Sequence, residues 1–247
     1  MPCPVAPGGV AFADLPGVRV WLAPPEMHVS IDIDHSFRPP RSGLVDEIWA
    51  KHVAGNPKLY NGPLLSVVGF DPFHGIVRCV PDEYRRLMAQ PEIDCGITLL
   101  AVSVVLHCTT PEGLPGVVLG LRSPRTRIYG GCWELGPSGG FDVPPADVPV
   151  LDHEAVLEQC EEELRSELAL PMSSPRLTAV TYEHAANCLD LIVEAEVELP
   201  PEGPKPANWE YLDVRAVAIK DLPSFDAEHA ERIIPPTRAL FRFFSWV

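Results

Sequence analysis

GGCWELGPSGGFDVPPADVPVLDHEAVLEQCEEELRSELAL, residues 130–170, joins three patterns in one run. A tryptophan-bearing strand leads into the glycine pair Gly139 and Gly140, and a proline-rich loop then opens onto a helix crowded with glutamate. On a wheel of about 100° per residue, Leu157, Cys160, Leu164 and Leu168 form one apolar stripe. Glu163 and Glu167 lie one turn apart and leave the same face. They sit roughly 60–110° from the stripe centre, on a half-buried flank. Like charges at this spacing cost a few tenths of a kcal/mol, a cost that a bound cation reverses. Paired carboxylates suit a hard cation such as Mg²⁺, which takes oxygen ligands at about 2.0–2.1 Å. A helix with a merely solvated acidic face has the same pattern, so both readings stand at this point.

The flanking segments supply a sheet. ITLLAVSVVLHC (97–108) reads as a buried strand, TTPEGLPG as a reversal, and VVLGLRS (117–123) as a second strand. Gly139 and Gly140 can take positive φ or let backbone approach a phosphate closely. RSPRTR carries Arg122, Arg125 and Arg127, guanidinium groups able to clamp a diphosphate bidentately; a basic loop that only solubilises the surface is the alternative. After the helix, CLDLIVEAEVEL (188–199) and WEYLDVRAVAI (209–219) read as strands around a solvated loop at 200–208. DLPSF then reads as a break, and PPTRALFRFFSWV as a closing helix packed through Leu240, Phe243, Phe244 and Trp246. Upstream, VRVWLA and MHVSIDID read as strands. A helix follows with Leu44, Ile48 and Trp49 on one face, then a turn, a strand, and a short helix in VPDEYRRLMA.

Composition sets limits. The 247 residues carry 34 acidic and 19 basic side chains, a formal charge of −15. That balance argues against duplex nucleic acid or anionic membrane as partner, because phosphate neutralisation dominates such binding. It leaves room for a small nucleotide, where a metal and a few local arginines outweigh the global field. Seven cysteines without a CxxC pair suggest buried thiols in a reducing compartment, not a disulfide framework or zinc site. No apolar stretch approaches the length of a membrane span, and MPCPVAPGGVAF lacks the basic start and apolar core of an export signal. The expectation is a cytoplasmic enzyme.

The acidic helix resembles the Nudix box in a degenerate form. That box has a glycine, a glutamate six positions on, and arginine–glutamate–aliphatic after seven more; two glutamates, a glycine and an aliphatic residue complete it. Anchored on Glu163, the register puts Glu154 at the first glutamate, Leu164 and Leu170 at the aliphatic positions, and Glu167 at the last glutamate. Val148 and Ala169 stand where the box has glycines, Glu162 where it has arginine, and Ser166 where it has the first glutamate of the pair. The resemblance implies a Nudix α/β/α sandwich with a mixed central sheet over 96–247, preceded by a small α+β extension over 1–95. It implies Mg²⁺ (or Mn²⁺) held by Glu163 and Glu167, with Glu210 as a further ligand or general base; Asp190 is an acid that could stand in for the missing one.

The extension, with a tryptophan-bearing helix, the PKLYN turn and the Tyr84–Arg85 segment, is similar to that of the branch hydrolysing UDP-glucose and UDP-galactose. By this likeness Tyr84 and Arg85 approach the uridine or sugar, or simply belong to an amphipathic helix. The implied reaction is hydrolysis of a nucleoside diphosphate sugar to nucleoside monophosphate and sugar 1-phosphate. The alternatives are a catalytically inactive module binding nucleotide or protein, and a hydrolase of another diphosphate such as ADP-ribose. Nothing in the sequence indicates the oligomeric state.

Overall fold

The computed structural model describes residues 12–247. The export-signal reading and Cys3 lie outside these residues. The described chain begins with strands β1 (Phe12–Leu15), β2 (Val18–Leu22) and β3 (Ser30–Ile33), then helix α1 (Gly43–Gly55). Strands β4 (Pro63–Asp71) and β5 (Ile76–Glu83) form a hairpin, and α2 (Tyr84–Ala89) follows directly. Next come β6 (Leu99–Thr109), β7 (Pro115–Arg122), β8 (Trp133–Leu135), β9 (Ser138–Gly140) and the two-residue β10 (Val150–Leu151). The acidic helix is α3 (His153–Glu167). Strands β11 (Ser173–Glu183), β12 (Cys188–Glu196) and β13 (Tyr211–Ala218), then helices α4 (Leu222–Glu228) and α5 (Pro235–Phe243), complete the chain.

All thirteen strands belong to one mixed sheet, with β1-β2-β11-β12-β6-β4-β5-β3-β10 as its main path. The β12–β6 and β3–β5 pairs are parallel and the others antiparallel. β6 is the spine. One edge pairs with β12 over nine residues, from Leu99 to His107. The other meets β4 at Leu99, β9 at Ala101–Ser103 and β7 at His107–Thr109. Strands of the first 95 residues therefore lie in the same sheet as those that follow, β2 beside β11 and β3 beside β10.

The two faces carry different helices, as an α/β/α arrangement requires. Leu100, Val102, Val104 and Leu106 of β6 and Leu191 and Val193 of β12 pack against Val156, Cys160 and Leu164 of α3 and Leu168 at its C-cap. On the opposite face Val105, Leu119, Trp133 and Ile192 pack against Leu222 and Phe225 of α4 and Leu240 and Phe241 of α5. Each such side chain withdrawn from water stabilises the fold by about 1.5–3 kcal/mol. α3 starts where Asp152 accepts a hydrogen bond from the Ala155 amide at 3.1 Å, an N-cap. It stops at Ala169, whose φ of +54° leaves the helical region. Among the described residues no helix is long and apolar enough to cross a membrane.

Several expectations change. In α1 the buried positions are Val45 and Ile48, while Leu44 is 49% exposed. In α3 Val156 is sealed and Leu157 only partly covered. The DLPSF break is instead the start of α4, because Pro223 falls in the first turn, where a missing amide costs nothing. β1 and β5 have no counterpart in the sequence reading, which put Val80–Glu83 into a short helix, and neither has β11. Its register shifts between Leu177 and Ala179, which interrupts the period-2 alternation that marks a strand. The closing helix seals Phe241 as well as Leu240, with Phe243, Phe244 and Trp246 only part-buried.

Gly120 of β7 lies under the Tyr211 ring, and a Cβ there would come within 2.4 Å of it. The Gly120→Ala variant should lose about 1–3 kcal/mol of stability by overpacking, measured by urea unfolding. An unchanged midpoint would mean that the ring does not cover this backbone.

Candidate functional site

The spacing that puts Glu163 and Glu167 on one face of α3 aims both at a cluster of acids. Glu163 is half-buried, its Oε1 accepting from Gln159 Nε2 at 2.7 Å. A Cβ on Gly139 would fall 2.1 Å from the same Oε1, so only a glycine in β9 lets this carboxylate rest against the backbone. That is what Gly139 does here. Neither Gly139 nor Gly140 has positive φ, contrary to one of the uses expected of them. Glu167 is 2% exposed, deeper than the half-buried flank expected of it, and its Oε2 has no hydrogen-bond partner. Glu210, just before β13, comes in beside Glu167, with its own amide donating to Asn208 Oδ1 at 2.8 Å.

Behind these three stands Glu134 of β8, which the sequence reading missed. It is 2% exposed and accepts from Arg122 Nη1 on both oxygens at 2.6 Å, and from the Tyr211 hydroxyl at 2.9 Å. Its sequence signal was slight: an acid between Trp133 and Leu135 in a strand with no exposed face.

Crowding these carboxylates out of water makes their ionisation costly. Burial pushes Glu167 far above the ordinary carboxylate value, with Glu210, Glu134 and Glu163 adding repulsion. Burial also raises Glu163, partly opposed by the Gln159 hydrogen bond, and raises Glu210. Among the described residues no three of His, Cys, Asp and Glu stand in metal-holding geometry. The donor chemistry nevertheless fits a hard divalent cation. Glu163, Glu167 and Glu210 offer only oxygens, one of them a sealed Glu167 atom without a partner, and a cation would relieve their repulsion.

A cavity of about 170 Å³ opens on the other side of β6 from α3; Glu134 and the Gly139–Gly140 backbone form part of its wall, and Glu163, Glu167 and Glu210 do not. Its far wall carries Arg127, Tyr129, Thr181, Glu183 and Asp190, and α5 covers it with Pro236, Thr237 and Leu240. Asp190 accepts from Ser103 Oγ at 2.5 Å while its Oδ1 has no partner, and burial pushes its carboxyl up to about 7. It therefore lines the cavity and does not join Glu163 and Glu167 as a substitute ligand. Glu183 accepts from the Tyr129 hydroxyl.

The expected three-arginine clamp does not form. Arg122 is spent on Glu134, Arg125 lies over the Trp209 ring at 5.1 Å, and Arg127 alone faces the cavity without an ion pair. Arg85 is likewise engaged, by Glu83 and by Asp46 at 2.7 Å, and Tyr84 meets Trp49 edge-on at 6.2 Å. Neither lines the cavity.

No family model matches the chain, and none of the curated proteins does. Solved structures to which it is similar include a Nudix hydrolase from M. smegmatis, RenU, at 21% identity and TM-score 0.43, over 60% of this chain and 84% of that one. A MutT protein from Methanosarcina mazei is similar at 17% identity and TM-score 0.40, over 60% and 92%. The Nudix domain of Shewanella oneidensis NrtR, solved with ADP ribose, is similar at 18% identity and TM-score 0.35, over 54% and 82%.

Two pH effects follow. Asp190 is neutral in folded and unfolded chains below pH 3.8, and between 3.8 and about 7 only the unfolded chain ionises, so stability falls as pH rises through that window. Asp190→Asn should flatten this slope in urea titrations across the window; an unchanged slope would place the carboxyl in water. Glu167, raised above 4.5, must lose its proton to take a metal, so Mg²⁺ affinity should rise with pH and binding should release protons. Calorimetry in buffers of different ionisation enthalpy reads that release, and none at all would remove Glu167 from the ligands.

Proposed function

We propose that the chain hydrolyses a nucleoside diphosphate sugar of the UDP-glucose kind to nucleoside monophosphate and sugar 1-phosphate. The observation that supports this best is the convergence of Glu163, Glu167 and Glu210 from two separate elements, with Glu134 and Gly139 between them and a cavity that carries Arg127. Mg²⁺ or Mn²⁺, held by Glu163 and Glu167, would supply positive charge to the phosphoryl oxygens. The oxygen of water bonds to one phosphorus, the bond from that phosphorus to the bridging oxygen breaks, and the bridging oxygen leaves on the other phosphate. Glu210 takes the proton of the attacking water; its raised affinity for protons makes it a stronger base than an ordinary carboxylate. Arg127 offsets the negative charge of the bound diphosphate. The choice of a nucleotide sugar rests on the N-terminal segment around Trp49 and Tyr84, whose pattern resembles that of the UDP-sugar branch.

The remaining reading is a binding module, favoured by Ser166 where an acid of the box would stand. Incubation with UDP-glucose, with and without Mg²⁺, separates the two. Metal-dependent UMP and glucose 1-phosphate are expected. Glu210→Gln should lower turnover about 10²- to 10⁴-fold, and Glu167→Gln by a similar order, each with a melting temperature no lower than that of the unaltered chain, because a neutral amide removes the repulsion among the buried acids. Full activity in Glu167→Gln would sink the assignment, and ligand-induced stabilisation without product would establish the binding module.

A further inference from the structure

Arg127 borders a second hollow on its outer side, between α1 and the 123–129 loop. Lys51 and His52 of α1 enter it from one side, and Arg125 and Arg127 from the other, with Tyr84, Leu59 and Met88 as an apolar wall. No carboxylate lines it, although the chain holds 34 acidic residues against 19 basic ones. Lys51, Arg125 and Arg127 make no direct ion pair among the described residues, although Arg127 acts at longer range on Glu183 across the cavity, whereas Arg85, Arg86, Arg122, Arg176 and Arg238 are each paired with an acid. Arg125 is held across the face of Trp209, an arrangement that fixes the guanidinium while leaving its edge N–H groups free to donate. The last turn of α1 also points here, with Gly55 and Asn56 in the lining. Its dipole amounts to roughly half a negative charge, well short of the three full positive charges around it.

Unpaired cations converging in one hollow repel each other and are stabilised by an anion with several acceptor oxygens. We infer that this hollow is a phosphoryl-binding subsite, separate from the Glu163–Glu167–Glu210 cluster, which takes a phosphomonoester dianion between Lys51, Arg125 and Arg127. A phosphomonoester dianion presents three terminal oxygens and two charges, which three separate cations match better than a carboxylate would. The dianion has two possible sources: free inorganic phosphate, or the phosphate end of an organic monoester such as a sugar phosphate. The apolar wall of Tyr84, Leu59 and Met88 gives the organic group a surface to lie on.

The test uses the full chain in EDTA, where the glutamate cluster without a metal repels anions and a failure of the proposed hydrolysis has no bearing. Calorimetric titration with inorganic phosphate, and separately with glucose 1-phosphate, should show saturable binding that weakens as salt is added. The double variant Lys51→Glu/Arg125→Glu should bind at least tenfold more weakly, while Glu167→Gln should bind as the unaltered chain does. Both substituted side chains are exposed, and the melting temperature of the double variant checks that it folds. Glucose 1-phosphate binding more tightly than inorganic phosphate supports the subsite as one for an organic monoester; equal binding supports it as one for free phosphate. No saturable binding of either probe overturns the inference, and so does equal binding by the double variant.

Discussion

β6 has two edges to give, and the structure divides the second among three strands. One edge runs parallel to β12 along nine residues, while the other is met in turn by β4, β9 and β7. This division places Gly139 and Gly140 opposite Val102 and Ala101, in the middle of the sheet. It also sets the two chemistries on opposite sides of one strand. Leu100, Val102 and Val104 turn toward α3, which brings Glu163 against Gly139. Ala101 and Ser103 turn the other way, into the cavity with Asp190. A one-residue slip in β6 would exchange the two faces and abolish both.

Charge is arranged as deliberately as packing. Glu134 takes both oxygens' worth of Arg122 and the Tyr211 hydroxyl, so the arginine nearest the acids is already neutralised. A buried carboxylate needs that pairing, since removing one partner of a buried pair costs several kcal/mol. The price falls on Glu167 and Glu210, which share the same enclosure without a cation of their own. Positive charge is kept at Arg127 and in the hollow beyond it, on the cavity side of the glycine pair.

The features legible in the sequence were those with local causes. α3 was readable because its cap, its stripe and its two inner glutamates all lie within one helix. Ala169 was readable as a departure from the box, and it occupies the left-handed conformation that glycine takes without strain. Glu210 was reachable only through the resemblance, because its proximity to Glu167 depends on how β13 lies beside β7. Glu134 was hidden because a buried glutamate contradicts its residue type, and the partner that permits burial lies on another strand. Arg122, Arg125 and Arg127 looked like one cluster by number, but the strand end commits Arg122 to a carboxylate, and only Arg125, over the Trp209 ring, and Arg127 share a hollow. VRVWLA and MHVSIDID were read as strands, and β2 and β3 lie there, but β1 and β5 went unread, and nothing in the composition of these segments told which sheet would receive them.

The place of β2 has a consequence for how the chain is made. Its partner β11 begins at Ser173, and the two pair from Val18–Glu183 to Leu22–Ala179. On a ribosome adding about 5–20 residues per second, roughly 150 residues separate the two, a delay on the order of ten to thirty seconds. During that interval β1 and β2 have only each other, and a lone two-stranded hairpin is marginal in water. The N-terminal hairpin is therefore a late-docking element, whose apolar Val18 and Val20 need shelter, by a chaperone or by transient burial, until the distal half of the chain emerges.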